Sequence, residues 1–294
     1  MPSNDSALPD RRRTTELTPE AGEAGRVVPL RHPWTWVASV FALVVAGAVL
    51  YSVSTNSAFE WPVVAQYMFD GQILLGLART LELTVAAMAI GLLLGTVLAV
   101  MRLSRNRLLS TLSWLYIWFF RSVPVLVQLI FWYNFGALYP HIVLRVPFGP
   151  ELYSASTNAV ITPLTAALAG LGLAQAAYTA EVVRAGIVSV PPGQTRAAKA
   201  LGMRPGTIFF RVVFPQAMRV IIPPVGNEVI SMVKNTSLVS IIAMAELLYT
   251  AQLIYARTYQ TIPLLIVASL WYLVVVSILS VGQQFLEHHY RHRT

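Results

Sequence analysis

Six of the ionisable side chains within the long apolar runs of this sequence are candidates for a functional role. They are Glu82, Arg121, Glu181, Glu228, Lys234 and Glu246. A charged group inside such a run is costly to bury in lipid, so it usually faces a cavity, a water-filled path or a partner. These six positions therefore mark where polar chemistry is expected in an otherwise apolar chain.

Glu228 and Lys234 carry opposite charges within one apolar segment. Four neutral hydrogen-bonding residues accompany them, namely Asn227, Asn235, Thr236 and Ser237. A path for a zwitterion needs both charge signs and neutral hydrogen-bonding groups, so we predict that this set lines a translocation path. The alternative is that these groups satisfy one another and neighbouring backbone as contacts between helices. Glu181 and Arg184 are spaced i, i+3, which favours a local ion pair instead.

The motifs of common enzymes and metal sites are absent from the sequence. Its two lysines, Lys199 and Lys234, do not follow a glycine, which excludes the phosphate-binding motif G-x-x-x-x-G-K-[ST]. There is no H-E-x-x-H, no G-x-S-x-G and no cysteine. We interpret the cluster of His288, His289 and His292 as part of a solvated basic tail rather than as a metal site. If ATP drives this protein, another subunit must bind it.

The composition indicates a membrane protein. Hydrophobic residues make up 56% of the chain and charged residues 12%, whereas soluble domains carry about 25% charged residues. The 294 residues are enough for one bundle of about six spans at roughly 20 residues each. The net charge of +8 lies at the ends of apolar runs, so it does not indicate nucleic-acid binding.

Six apolar segments alternate with polar connections. They cover about residues 34–53, 74–101, 108–135, 160–186, 215–247 and 262–286. Cations are concentrated at 102–107, in the insert at 191–215 and in the tail at 287–294, whereas 54–73 and 136–159 carry few. Because basic connections remain in the cytoplasm, both termini are predicted to be cytoplasmic. The predicted fold is an all-α polytopic bundle of about six transmembrane helices.

The first and fifth apolar segments differ from plain spanning helices. Residues 1–33 are polar and predict a disordered cytoplasmic tail, so 34–53 is interpreted as an uncleaved additional membrane helix. The fifth segment carries Pro215, Pro223, Pro224 and Gly226 in its first half. Proline removes a backbone donor and clashes with the preceding turn. We therefore predict that this segment is bent or broken there, as in helices that line transport paths.

The insert at 191–215 is basic and punctuated by glycine and proline. Gly193 and Gly202 bracket a short helix that contains Gln194-Thr195-Arg196-Ala197-Ala198. The spacing places Arg196 and Lys199 on one face, with the two alanines and Leu201 on another. Small alanines beside a leucine form a surface that can enter a groove on a partner. An ordinary cytoplasmic loop with a short amphipathic helix is the alternative.

This insert resembles the EAA loop of ATP-binding-cassette import permeases. That loop has Glu-Ala-Ala, three residues, Gly, nine residues and Ile-x-Leu-Pro, and Ala197-Ala198, Gly202 and Val212-Val213-Phe214-Pro215 keep its spacing. Arg196 differs, because the family usually has Glu there. Further similarity to the polar amino acid subfamily, the histidine and glutamine type, occurs in order at 76–84, 120–128, 177–186 and 227–238.

The resemblance implies a permease subunit of an ATP-driven importer in a bacterial cytoplasmic (inner) membrane. Its core of five helices would span 71–286, and two such subunits, identical or paralogous, would form the path by alternating access. A cytoplasmic ATPase would hold the ATP and magnesium, and this chain would bind no cofactor. An extracytoplasmic binding protein would deliver a polar amino acid or related zwitterion. The implied ATPase-coupling residues are Gly193, Gln194, Arg196, Ala197, Ala198, Gly202 and Pro215.

Two other classes of protein are open from the residues alone. A secondary transporter would also use a bent helix and membrane charges, but the segments show no evident internal repeat. A secondary transporter would also give no role to the alanine–glycine loop. A membrane-embedded enzyme would need a nucleophile with a base, or metal ligands, at suitable spacing, and none appear.

Overall fold

The computed structural model describes residues 33–146 and 151–291, and the chain divides into two units, 1–56 and 57–294. In the first unit, helix α1 (Pro33–Thr55) has 23 apolar and small polar residues without a charge. At 1.5 Å per residue it is long enough to cross a hydrocarbon core of about 30 Å. The predicted disordered tail lies almost wholly outside the described residues.

The second unit is helical apart from one hairpin. After a 3₁₀ turn at Ser57–Phe59, its elements are α2 (Trp61–Met68), α3 (Gly71–Arg102), α4 (Arg107–Ser122), α5 (Val125–Tyr133), α6 (Phe135–Leu138), β1 (His141–Arg145), β2 (Glu151–Ser156), α7 (Thr157–Val160), α8 (Pro163–Val188), α9 (Pro192–Ala200), α10 (Pro205–Ile208), α11 (Phe214–Asn235), α12 (Leu247–Thr258) and α13 (Thr261–Arg291). A π-helical turn at Phe209–Val213 precedes α11, and a 3₁₀ segment at Thr236–Ile242 follows it.

Within the described ranges, five helical segments are long and apolar enough to cross a membrane. They are Trp36–Thr55, Gly71–Arg102, Pro163–Val188, Pro205–Ile242 and Thr261–Tyr290. A sixth span is obtained if α4 and α5, which meet at 99°, count as one bent pair. The helical fold class and the count of about six are therefore confirmed, although the predicted segment 108–135 is not straight.

Pro124 and Gln128 account for the bend between α4 and α5. Pro124 has no N–H to donate to the carbonyl of Phe120, four residues earlier. The Nε2 of Gln128 donates to that carbonyl at 3.1 Å and to the carbonyl of Val123 at 2.9 Å. One side chain thus satisfies backbone groups that the bend leaves without helical partners.

The fifth apolar segment is not broken where its prolines predicted. Helix α11 continues through Pro223 and Pro224, and Gln283 of α13 donates a hydrogen bond to the Pro223 carbonyl at 2.8 Å. Neighbouring helices can accommodate proline in this way. The chain turns instead at Ala243, which has a left-handed φ of 57°. Helix α12 then forms a separate element that the sequence prediction had not resolved.

The connection predicted as polar at 136–159 contains an antiparallel hairpin. Strand β1 pairs with β2 from His141 opposite Ser156, with an irregularity between Leu144 and Arg145. The Oγ1 of Thr157 donates to the carbonyl of Tyr139 at its base. The sequence prediction missed this element, since its strands are short and carry no strict alternation of apolar and polar residues.

Helices α3 and α8 form the closest packing in the core because small residues line their contact. A Cβ added at Gly95 would lie 2.7 Å from the Cβ of Thr179 and 2.8 Å from the carbonyl oxygen of Ala176. Ala87 and Ala99 of α3 and Ala177 of α8 are fully buried. Membrane helices commonly approach one another through such small residues.

Candidate translocation path and coupling loop

Helix α11 exposes a polar face. Asn227, Ser231 and Lys234 are all exposed, and their spacing of i, i+4 and i+7 places them within about 60° around the helix axis. Asn235 is exposed beside them. A membrane helix that met only lipid on this side would present apolar side chains. The face therefore fits contact with water or with another protein.

Glu228 lies next to this face and is half-buried against α8. Its Oε2 accepts hydrogen bonds from Gln175 Nε2 at 2.6 Å and from Thr179 Oγ1 at 3.1 Å. Gln175 also donates to Thr179 at 3.1 Å, so the two donors support each other. Among the described residues no cation pairs with this carboxylate. Neutral groups hold it in place and leave its charge uncompensated.

The other predicted path residues occupy two different environments. Lys234 is exposed near the end of α11 and forms no ion pair with Glu228. Thr236 is buried and donates to the carbonyl of Val233 at 2.6 Å, while Ser237 donates to that of Lys234 at 2.7 Å. These two hydroxyls satisfy backbone at the helix end. The structure thus groups Lys234 with Asn227 and Asn235 and separates them from Thr236.

Three residues of this region were missed by sequence reasoning. Gln175, Thr179 and Ser231 are uncharged, and a search for ionisable groups passes over them. A signal was nevertheless present, since Gln175 and Thr179 are spaced i, i+4 on an alanine-rich helix, and Ser231 lies i+4 from Asn227. Polar residues at helical spacing in an apolar run therefore carry information even without charge.

Glu246 forms a second polar centre and is fully buried. Its Oε1 accepts from the backbone N–H of Tyr249 at 2.8 Å and so caps α12. Its Oε2 accepts from Tyr272 Oη at 2.8 Å and from Thr80 Oγ1 at 3.3 Å. One carboxylate thereby connects α3, α12 and α13.

We expect Glu246→Ala to destabilise the bundle, because it removes the α12 cap and deprives the partly buried Tyr272 of the carboxylate that accepts from its hydroxyl. The expected loss is about 1–3 kcal/mol for that hydroxyl, with about 1 kcal/mol more for the cap. The total loss of stability is measured by thermal unfolding of the protein in detergent. Glu82→Ala is the matched control, since Glu82 is exposed and paired only with Arg79 at 2.7 Å. Equal unfolding temperatures for the two variants would contradict a connecting role for Glu246.

The remaining ionisable groups have local partners. Glu181 and Arg184 form the predicted ion pair, with Arg184 Nη2 2.7 Å from Glu181 Oε2. The Arg121 guanidinium lies 5.3 Å from the centre of the Tyr178 ring.

His288 and His289 belong to α13, which continues into the predicted tail, while His292 lies outside the described residues. The part of the chain that the structure describes contains no cluster of metal-ligating side chains.

The predicted coupling loop, residues 191–215, contains helix α9, which ends in a Schellman motif. The N–H of Met203 donates to the Ala198 carbonyl at 3.2 Å, and the N–H of Gly202 donates to that of Lys199 at 3.0 Å. Gly202 has a φ of 74°, a left-handed conformation that glycine adopts without a Cβ penalty. The glycine in the motif therefore ends the helix and turns the chain toward α10.

The structure separates the two alanines of the loop. Ala197 and Arg196 are exposed on α9, whereas Ala198 is only 5% exposed. The expectation that both alanines form one outward surface is wrong for Ala198, because consecutive helical residues point about 100° apart. The outward surface also includes Leu201, which is 82% exposed. The other residues predicted for coupling, Gly193, Gln194, Gly202 and Pro215, are all exposed.

Residues 91–292 match the family of binding-protein-dependent transport system inner membrane components. The arginine transport system permease protein ArgU of Corynebacterium glutamicum is 44% identical over 263 residues, which are 89% of this chain and 82% of the relative. The nopaline transport system permease protein NocM of Agrobacterium fabrum is 37% identical over 71% of this chain and 83% of its own.

A solved structure extends the similarity to three dimensions. The crystal structure of an amino acid ABC transporter with histidines superposes with a TM-score of 0.66 at 32% identity. The match covers 76% of this chain and 97% of that one. Sequence family, relatives and fold agree. The chain therefore belongs to the binding-protein-dependent inner membrane components and is a membrane-spanning permease subunit of ATP-binding-cassette amino acid importers, whose ATPase is a separate subunit.

Proposed function

We propose that the exposed polar face of α11 lines the translocation path where two permease subunits meet. The observation that carries this proposal is the exposure of Asn227, Ser231 and Lys234 on a membrane helix. Such a face is stable only beside water or other polar groups. A second subunit, identical or paralogous, would close the path on the opposite side and shield this face from lipid.

Glu228 is proposed to bind the positive group of the substrate. Its carboxylate is held by two neutral donors, Gln175 and Thr179, on the one oxygen Oε2. A passing ammonium or guanidinium group would supply the missing opposite charge. Polar amino acids are therefore the proposed substrates. Arginine is the first to test, because the 44% identical relative is an arginine permease protein.

Uptake by the reconstituted importer tests the role of Glu228. We expect Glu228→Gln to reduce uptake of arginine by about tenfold or more, since a charge-assisted hydrogen bond contributes about 1.5–3 kcal/mol. Uptake is measured per assembled complex in vesicles that contain the ATPase and the binding protein. Glu82→Gln is the control, because Glu82 is an exposed carboxylate whose partner is Arg79 at 2.7 Å, away from α11. Unchanged uptake by Glu228→Gln per complex would exclude a contact with substrate.

The exposed surface of α9 is proposed to dock the ATPase, which would hold ATP and magnesium while this chain binds no cofactor. Arg196, Ala197 and Leu201 form that surface. Because Arg196 is positive where the family usually has Glu, it is proposed to meet an anionic or neutral residue of its own ATPase. The termini and this loop would lie in the cytoplasm, and a binding protein would deliver substrate from the other side.

Substitutions at the two alanines distinguish docking from folding of the loop. Ala197→Trp adds bulk only on the exposed surface, so we expect an intact fold with at least about tenfold less co-purified ATPase, or about 1.4 kcal/mol. Ala198→Trp is expected to lower thermal stability as well, because Ala198 is buried and overpacking costs about 1–3 kcal/mol. Full ATPase recovery and wild-type uptake with Ala197→Trp would show that docking occurs elsewhere.

ATP-dependence separates this proposal from a secondary transporter. Both classes would use a polar membrane helix, but only the importer requires the ATPase and ATP inside the vesicle. Uptake that persists in vesicles without the ATPase would favour the secondary transporter.

A further inference from the structure

A cavity on the side of the bundle that carries the basic connections combines arginines with tryptophans. Its volume is about 490 Å³, and it lies between the end of α3, the second half of α4 and the last turns of α8. The residues that define its chemistry are Arg102, Trp114, Trp118, Arg121, Glu181 and Arg184. Neither α11 nor the coupling loop contributes to it, so the proposed transport roles leave it unexplained.

The cavity has a surplus of positive charge. Glu181 and Arg184 neutralise each other through their 2.7 Å ion pair. Arg102 donates to the neutral Ser110 hydroxyl at 2.9 Å, and Arg121 lies over the Tyr178 ring. Neither Arg102 nor Arg121 pairs with a carboxylate among the described residues. Two guanidinium groups are therefore available to an external anion.

The cavity lies near the basic connections, where the cytoplasmic surface of the membrane is expected. Arg102 ends α3 beside the basic connection 102–107, and Arg184 lies one turn before the end of α8, from which the coupling loop begins. Basic connections identify the cytoplasmic side, where the leaflet carries anionic lipids. Trp114 and Trp118 are stacked with ring centres 6.3 Å apart and are about half exposed. Tryptophan is enriched at membrane–water interfaces.

A second pocket, which is apolar, is lined in part by residues next to Arg121 in the sequence. Phe119 and Phe120, which directly precede Arg121, line it together with Val127 and Phe131 at the bend between α4 and α5. Apolar side chains make up most of its lining. A ligand with an anionic head group and hydrocarbon tails has the chemistry to suit a basic cavity on α4 and an apolar pocket at the end of the same helix.

We propose that the cavity between α3, α4 and α8 binds the phosphate head group of an anionic phospholipid through Arg102 and Arg121. Guanidinium groups bind phosphate oxygens in pairs of parallel hydrogen bonds. Basic pockets between membrane helices on the cytoplasmic side commonly bind such head groups. The bound lipid would fill the space along α4 and connect three helices at the cytoplasmic surface.

Native mass spectrometry of the purified full-length chain tests this site. The chain is titrated in detergent with dioleoyl phosphatidylglycerol, tetraoleoyl cardiolipin and dioleoyl phosphatidylcholine. We expect preferential retention of the two anionic lipids. The double variant Arg102→Gln/Arg121→Gln should bind them roughly 30-fold more weakly, since each arginine near an anionic surface accounts for about fivefold. Arg79→Gln/Arg257→Gln removes two charges elsewhere and should bind like wild type.

A charge-preserving variant and a competition with inorganic phosphate complete the test. Arg102→Lys/Arg121→Lys preserves the charge but loses the paired guanidinium hydrogen bonds, so it should bind the anionic lipids more tightly than the Gln variant and more weakly than wild type, with the same thermal unfolding temperature as the Gln variant. Inorganic phosphate at equal concentration should not displace the lipid. Equal binding of phosphatidylcholine, undiminished binding by the Gln variant, or displacement by phosphate alone would each overturn the proposal, the last by showing a site for free anions.

Discussion

Lys234→Met is expected to reduce uptake per assembled importer by at least about tenfold, which corresponds to about 1.4 kcal/mol. Methionine keeps the length of the side chain and removes its charge. Lys234 is exposed on α11 with Asn227 and Ser231 and forms no ion pair among the described residues. If this face lines the path, the substituted position no longer attracts the carboxylate of a passing amino acid, and it places an apolar group among polar ones.

The control separates a role in the path from a role in assembly. Arg257→Gln removes a positive charge from α12, where Arg257 is exposed, and should leave uptake per complex unchanged. If Lys234 only holds two permease subunits together, Lys234→Met should lower the yield of complex and uptake in parallel. A constant ratio of uptake to assembled complex would then argue against the path.

Gly95→Ala is expected to destabilise the protein by about 1–3 kcal/mol, the usual cost of overpacking. The added methyl group would lie 2.8 Å from the backbone oxygen of Ala176 and 2.7 Å from the Cβ of Thr179. Neither atom is the end of a flexible side chain, so α3 and α8 must separate. Because Thr179 also donates to Glu228, uptake per complex should fall together with stability.

Gly282→Ala is the matched control for this prediction. Gly282 is also helical, but a Cβ there meets no heavy atom within 4 Å. Alanine has the higher helix propensity, so this variant should be neutral or slightly stabilised. Thermal unfolding of both variants in one detergent decides the matter, and equal midpoints would show that α3 and α8 can separate at little cost.

The spans were predictable from the sequence because a bilayer requires long apolar runs, and these leave a strong signal. The helix end at Gly202, within the predicted coupling loop, was predictable for a different reason. The spacing of Gly202 after Ala197-Ala198 is a backbone requirement, and the structure shows its cause in the left-handed φ of that glycine. The local pair of Glu181 with Arg184 followed from helical spacing alone.

Other features depend on contacts between distant residues. The prolines at 223 and 224 predicted a bend or a break, but α11 stays helical through them, and the Pro223 carbonyl accepts a hydrogen bond from Gln283, which is 60 residues away. Glu246 was recognised as ionisable, yet its role in connecting three helices depends on Thr80 and Tyr272, which no local pattern links to it. Ala198 was assigned to the wrong face because adjacent alanines look equivalent in a sequence.

The contact between α3 and α8 has a mechanical consequence. With 26 residues at 1.5 Å each, α8 is a rod about 39 Å long. The coupling loop is attached at its end, two residues after Ser189. A tilt of about 10° at that end would displace the far end by roughly 7 Å, given that length. Because α3 and α8 are in close contact at Gly95, the two helices would tilt together, and a small displacement at the loop end of α8 would become a larger one at its other end.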